Sequence, residues 1–214
     1  MADYKKADTW QIRARKEGYP ARSVYKLQEL DEKHALLKPM RRATAGRIFR
    51  VLDLGAAPGS WSLYILRKMQ SQTASTLLVA ADLSPLSREF DKGLFDGENF
   101  RFIRGDITDP TVRAAILSHG PYDLIVSDAA PATMGNRFVD TCRSLDLVEE
   151  VVSYAEAALA EGGNLVVKVF QGGDTSELLK RLKTLFATAK SHKPQACRSE
   201  SFETYYVAGG RRGA

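Results

Sequence analysis

The chain has 214 residues, 44% of them hydrophobic, and a formal net charge of +5. That length suits one domain with a full core, and no apolar run approaches the roughly 20 residues of a membrane span. The N-terminus Met1-Ala2-Asp3-Tyr4-Lys5-Lys6 lacks the apolar stretch of a secretory signal, and Cys142 and Cys197 stand in unrelated contexts, which argues against a zinc site and for reduced thiols in a cytoplasmic setting.

The first 50 residues carry 13 Lys and Arg against 6 Asp and Glu, a balance of +7, while the remainder balances at −2. All of the basic excess therefore precedes residue 51. Such a segment reads either as the electrostatic footprint of a nucleic acid or as a solvated, charged helix. Residues 3–37 read as helical. Pro20 marks a break, and Ser23 is placed to cap a helix whose Val24, Leu27 and Leu30 share one face. Lys38–Arg47 is a basic, proline-containing connector.

Beyond the connector the hydrophobic period changes. Strand-like runs at Ile48–Leu54, Thr76–Asp82, Phe100–Gly105, Tyr122–Asp128 and Asn164–Phe170 alternate with helical stretches at Trp61–Met69, Pro110–Ser118, Val139–Ala160 and Ser176–Thr188. Thr204–Ala208 reads as a closing strand. Leu145, Val148, Val152, Ala155 and Leu159 form an apolar stripe on the longest helix. The alternation predicts a Rossmann-like α/β fold, a mostly parallel sheet with helices on both faces. It spans 1–214 as a single domain, with 1–47 its basic N-terminal segment. The loose parts are expected at Met40–Ala45, Ser84–Glu98 and Gly209–Ala214.

Ligands of such sheets bind at the carboxyl ends of the strands. There the run Val51-Leu52-Asp53-Leu54-Gly55-Ala56-Ala57-Pro58-Gly59-Ser60-Trp61 takes a strand through a glycine turn into a helix. Gly55 and Gly59 let the backbone approach a ligand, although a turn that serves only packing has the same look. The spacing is not G-x-G-x-x-G, which argues against a nicotinamide oxidoreductase. Asp82 closes the second strand, where a carboxylate can accept from both hydroxyls of a ribose. Asp106 follows the third strand and can meet an adenine amino group. Asp128 closes the fourth. Each acid alone reads equally as a cap or turn residue; three at successive strand ends outline a nucleoside pocket.

Lys168 lies in the apolar strand Asn164–Phe170. Lysine is seldom buried without a partner, burial disfavours its charged form, and a lysine so tuned can act as a general base. The alternative is an edge lysine whose head snorkels to solvent. Lys26 and Glu203 do not stand out by composition. Tyr19 and Tyr25 are candidates for stacking on a base, with packing the competing use of Tyr25.

Together the segments ARSVYKL, VLDLGAAPGSW, VAADLSP, RGDITDP, VSDAAP, NLVVKVFQGG and SFETYYVA resemble, in this order, the FtsJ/RrmJ family of S-adenosylmethionine-dependent RNA 2′-O-methyltransferases. The likeness runs from Thr9 to Gly210. It implies a class I methyltransferase fold with a seven-stranded sheet and S-adenosylmethionine as cofactor. It implies a catalytic tetrad of Lys26, Asp128, Lys168 and Glu203, in which Lys168 accepts or steers the hydroxyl proton. It also implies cofactor contacts from Gly59, Trp61, Asp82, Asp106 and Asp128, with no metal. Within the family the chain looks closest to bacterial members that methylate a uridine ribose in large-subunit, 23S-type ribosomal RNA. A monomer fits the lack of an obvious coiled coil. Two departures stand out: Ser60 replaces a second glycine of the turn, and the stretch between Asp82 and Asp106 is longer than usual. A transfer-RNA anticodon loop or an mRNA cap is the alternative substrate. A non-catalytic ribosome-assembly protein on the same scaffold is the alternative class, and the presence of both lysines and both acids argues against it.

Overall fold

The computed structural model describes residues 9–38, 47–71, 75–131, 135, 137–171, 175–198 and 201–213. Two helices lead, α1 (Thr9–Lys16) and α2 (Val24–His34). Then come β1 (Phe49–Leu54), α3 (Ser60–Gln70), β2 (Thr76–Asp82), β3 (Phe100–Arg104), α4 (Pro110–Leu117) and β4 (Tyr122–Ser127). The chain closes with α5 (Arg137–Ala158), β5 (Leu159–Phe170), α6 (Thr175–Leu185), β6 (Phe186–His192) and β7 (Glu203–Arg211).

The seven strands form one sheet in the order β3-β2-β1-β4-β5-β7-β6. The first five are parallel, and β7 runs antiparallel between β5 and β6. Successive side chains alternate between faces. Val51, Leu78, Leu124, Val126, Val166 and Val207 pack with Val24, Leu27 and Leu30 of α2 and with Ile65 and Leu66 of α3. Leu52, Val79, Ile125, Leu165 and Val167 pack on the opposite face against Val148, Val151 and Ala155 of α5. Leu27 and Leu30 are essentially inaccessible, and burying each contributes about 1.5–3 kcal/mol. The helix that carries Lys26 is thereby seated on the sheet.

Several boundaries depart from expectation. The N-terminal segment is two helices broken at Gly18–Pro20, and Ser23 sits in α-helical backbone with no side-chain capping bond. The side-chain cap appears instead on α4, where Asp109 accepts from the Thr111 and Val112 amides and Pro110 opens the helix. The last helix ends at Leu185, and the chain passes directly into β6, a strand the periodicity misses. β6 is an edge strand with burial only at every third position, so no alternation announces it. Because β6 exists, Gly209 and Arg211 pair with Thr188 and Phe186; residues 209–211 of the expected loose tail are strand. Residues 84–98 are also held in place. Ser87 donates its amide to the Pro58 carbonyl at 2.9 Å, Arg88 bridges Asp91 and Asp96, and Phe95 stacks on Phe100. The connector Met40–Ala45 lies outside the described residues. Among the described residues no helix is long and apolar enough to cross a membrane.

Candidate active site

Strand order reverses between β1 and β4, which opens a crevice at their carboxyl ends. β1 turns there at Gly55, with φ +76°. A Cβ at this position would lie 2.5 Å from the Ala129 Cα, so glycine alone lets the turn pass beside the segment after β4. Gly59 ends the turn at φ +107°, a conformation other residues rarely adopt.

Asp82 steadies this turn. Its Oδ2 accepts from the Ala57 amide at 2.9 Å and its Oδ1 from the Ser84 amide at 2.7 Å. Beside it Leu83 is 65% exposed, a large apolar side chain at the crevice rim that sequence reasoning passes over. Asp106 accepts the Thr108 amide and hydroxyl at 2.9 and 2.8 Å, and these bonds hold its carboxyl below the usual range. Trp61 is 2% exposed; its indole N–H donates to the Ser23 carbonyl at 2.8 Å and its ring lies against Tyr205. Its visible work is to fasten α2 to α3. Ser60 does the same: its hydroxyl donates to the Ala21 carbonyl at 3.1 Å and accepts the Ala21 amide at 2.9 Å. The serine that replaces glycine in the turn thus ties the turn to the N-terminal segment.

Sequence reasoning does not single out Asp53, although an acid inside the strand FRVLDL is an available signal. Asp53 is fully buried. Ser62 donates to its Oδ2 at 2.6 Å, and among the described residues its Oδ1 has no hydrogen-bond partner. Burial, reinforced by the Asp128 and Asp82 carboxylates, pushes the Asp53 carboxyl up to about 7. A buried acceptor without a partner, next to two further acids, is an environment that favours a cationic ligand.

Lys26, Asp128, Lys168 and Glu203 come from α2, the end of β4, β5 and β7, and they meet on one face of the sheet. Lys168 and Tyr205 are register partners across β5 and β7, as are Phe170 and Glu203. Lys26 Nζ lies 2.8 Å from Glu203 Oε1, and Lys168 Nζ lies 3.1 Å from Asp128 Oδ1. Lys168 also donates to the Asp128 carbonyl. Both lysines are only 8% exposed, so neither head group snorkels to open solvent. Tyr205 joins the two pairs: its hydroxyl donates to Asp128 Oδ1 at 2.6 Å, and Lys26 Nζ sits 5.8 Å from its ring centre.

The charges in this cluster hold one another. Burial disfavours ionised Asp128, but Lys168, Lys26 and the Tyr205 hydroxyl outweigh it and keep its carboxyl below the usual range. Burial likewise disfavours charged Lys26, yet Asp128 and Glu203 leave it more firmly protonated than a free lysine. Burial and then Glu203 push the Cys197 thiol up to about 12, so this cysteine stays a thiol at neutral pH. Cys197 and Cys142 are both free. Tyr25 is 5% exposed and packed on Trp10, which settles it as a core residue; Tyr19 lies under the Arg67 guanidinium, 4.3 Å from its ring centre.

A crevice at the strand-order switch, with two lysine–carboxylate pairs at its edge, accords with the family its sequence matches, the FtsJ-like methyltransferases, over residues 19–211. The chain belongs to that family. Two curated relatives carry the name ribosomal RNA large subunit methyltransferase E. The protein from Treponema denticola is 46% identical over 204 residues, 95% of this chain and 94% of its own length. The one from Oleidesulfovibrio alaskensis is 40% identical, covering 96% and 92%. Among solved structures, a Plasmodium falciparum protein described as a ribosomal RNA methyltransferase superposes with a TM-score of 0.72 at 27% identity, over 92% of this chain and all of that one. Human methyltransferase-like protein 13, at 12% identity and a TM-score of 0.58 over 87% and 82% of the two chains, shares the fold. The expected class I methyltransferase architecture, an FtsJ-like sheet of seven strands with its antiparallel β7, is thereby established.

Proposed function

We propose that this FtsJ-like methyltransferase transfers a methyl group from S-adenosylmethionine to a ribose 2′-hydroxyl in large-subunit ribosomal RNA. The observation that carries the reading is the pair Lys168–Asp128 beside Lys26–Glu203, buried at the mouth of an acid-lined crevice. The curated relatives supply the substrate class by name. S-adenosylmethionine, when bound, supplies a methyl group activated by a sulfonium leaving group.

The crevice residues suit that group. Asp53 offers a buried acceptor without a partner, and with Asp82 and Asp128 it favours positive charge. On this reading Asp82 accepts from a ribose, Leu83 covers the face of a purine, Gly55 and Gly59 allow close backbone approach, and Asp106 meets an exocyclic amino group.

At the edge, two of the Lys168 head-group valences are taken by the carbonyl and carboxylate of Asp128. The remaining one is left for the 2′-hydroxyl, where Lys168 accepts or steers the proton and aligns the oxygen for attack. Lys26 is held charged by Asp128 and Glu203, so its role is to stabilise negative charge developing on that oxygen or to hold a neighbouring phosphate. The basic helix α1, with Arg13, Arg15 and Lys16 in its last turn, then follows the RNA backbone.

The test is Lys168→Ala, assayed with ribosomal RNA and with the large ribosomal subunit. Methyl transfer should be lost while S-adenosylmethionine affinity stays within about threefold, an energy difference under 1 kcal/mol. Near-normal turnover by the variant overturns the assignment.

A further inference from the structure

A second basic site lies away from the crevice, where the end of α1, the end of α3 and the segment after β2 come together. A cleft of about 460 Å³ is lined there by Lys16, Glu17, Gly18, Arg67, Lys92 and Leu94. Three of these are cations. Its one acid, Glu17, is already bound by Arg13 at 2.7 Å, a bond that holds its carboxyl below the usual range. Of the acids in residues 84–98, Glu89 is bound by Arg15, and Asp91 and Asp96 by Arg88, while Glu98 forms no ion pair among the described residues. Among the described residues no carboxylate forms an ion pair with Lys16, Arg67 or Lys92.

The cleft is rigidly built. Arg67 donates to the carbonyls of Glu17, Gly18 and Phe90, which joins α3 to both other walls. Its charge is met by these carbonyl dipoles and by the face of the Tyr19 ring, with no carboxylate partner among the described residues. Lys92 is held at φ +49°, a left-handed conformation that costs a lysine on the order of 1 kcal/mol and persists only when its surroundings fix it. Lys16 and Lys92 are both solvent-exposed. Fixed walls, exposed lysines and no neutralising acid describe a site for an anion.

Gly18 and Arg22 are four residues apart, at most about 14 Å. Arg22 precedes the helix that carries Lys26, and Ala21 is held to Ser60 of the cofactor turn. The cleft therefore adjoins the chain segment that leads into the helix carrying Lys26.

We propose that this cleft grips a backbone phosphate of the same RNA, several nucleotides from the target ribose. The inference rests on the RNA reading above and adds to it a second contact, built partly from the long segment between Asp82 and Asp106. Its role is to fix the register of the strand and to add affinity, not chemistry.

The experiment compares the unsubstituted chain with the double variant Lys16→Gln/Lys92→Gln, by equilibrium RNA binding across a salt series and by steady-state methylation. A single-strand phosphate contact adds about fivefold to affinity at 0.1 M salt, so losing the one held here should weaken RNA binding by about fivefold and flatten the log–log salt slope by about 0.7. The rate at saturating RNA and the affinity for S-adenosylmethionine should not change. Unchanged RNA affinity and slope in the variant overturn the proposal. So does protection of the cleft by millimolar orthophosphate that persists undiminished when RNA is bound, which would assign it to a free anion. If the unsubstituted chain neither binds nor methylates RNA, the functional reading itself falls, and the two failures are thereby distinguished.

Discussion

Replacing Tyr205 with phenylalanine removes the one hydroxyl that couples the two ion pairs and leaves the ring in place. The bond lost is 2.6 Å long and ends on a buried carboxylate. Burial, followed by the adjacent Asp128 and Glu203, keeps the Tyr205 phenol protonated far above its usual range, so it acts as a fixed donor. A hydrogen bond to a charged acceptor contributes about 1.5–3 kcal/mol, and a domain of this size shifts about 2–4 °C in Tm per kcal/mol. A fall of about 3–12 °C is therefore expected by calorimetry. The pH dependence has a definite sign. Asp128 is depressed in the folded state despite its burial, so its contribution to stability is present above the unfolded value and lost as pH falls through the folded one. Without the phenol the folded value rises, and the acid limb of the stability profile should move to higher pH. Single-turnover transfer with radiolabelled donor should slow about tenfold, the equivalent of about 1.4 kcal/mol, with donor affinity unchanged. A variant with parental Tm, parental acid limb and parental rate would refute the coupling.

Asp53 gives the opposite pH signature. Its carboxyl rises from 3.8 to about 7 on folding, so the folded chain keeps a proton that the unfolded chain releases between those values. Stability should decline as pH rises through that window, by on the order of 4 kcal/mol, and level off above it. Asp53→Asn should flatten the decline and weaken S-adenosylmethionine binding; an unaltered stability profile in urea titrations from pH 4 to 8 would contradict the burial argument. Asp82→Ala leaves two amides of the turn without their acceptor and should cost at least about tenfold in S-adenosylmethionine affinity. RNA affinity should move by less than twofold, and calorimetric titrations showing the reverse order would dismiss the ribose role.

The parallel core was legible because its strands are short apolar runs ending in acids, and β2 falls on the expected Thr76–Asp82. β6 was not, because α6 runs into it without a glycine or proline and its residues Phe186, Ala189 and His192 are buried three apart, a spacing that mimics a helix. The order of residues 84–98 was also hidden. It depends on particular contacts, Phe95 on Phe100 and Arg67 on the Phe90 carbonyl, which composition cannot foretell. The four charged residues at the crevice edge could be gathered from motif likeness, since Lys26 and Glu203 are unremarkable alone. What the motifs leave out is the packing chemistry around them: Tyr205 reads as an ordinary strand aromatic until β7 sets it opposite Lys168. Trp61 and Ser60 show the same limit, because their partners Ser23 and Ala21 lie almost 40 residues away in sequence.

The most direct measurement is a map of ribose 2′-O-methylation across total RNA, from cells with this FtsJ-like methyltransferase, without it, and with only the Lys168→Ala form. The account predicts that one large-subunit ribosomal RNA site loses its methyl group both in the absence of the protein and with the variant. A site lost instead from transfer RNA, or a full complement of methyl groups with the variant, would contradict it.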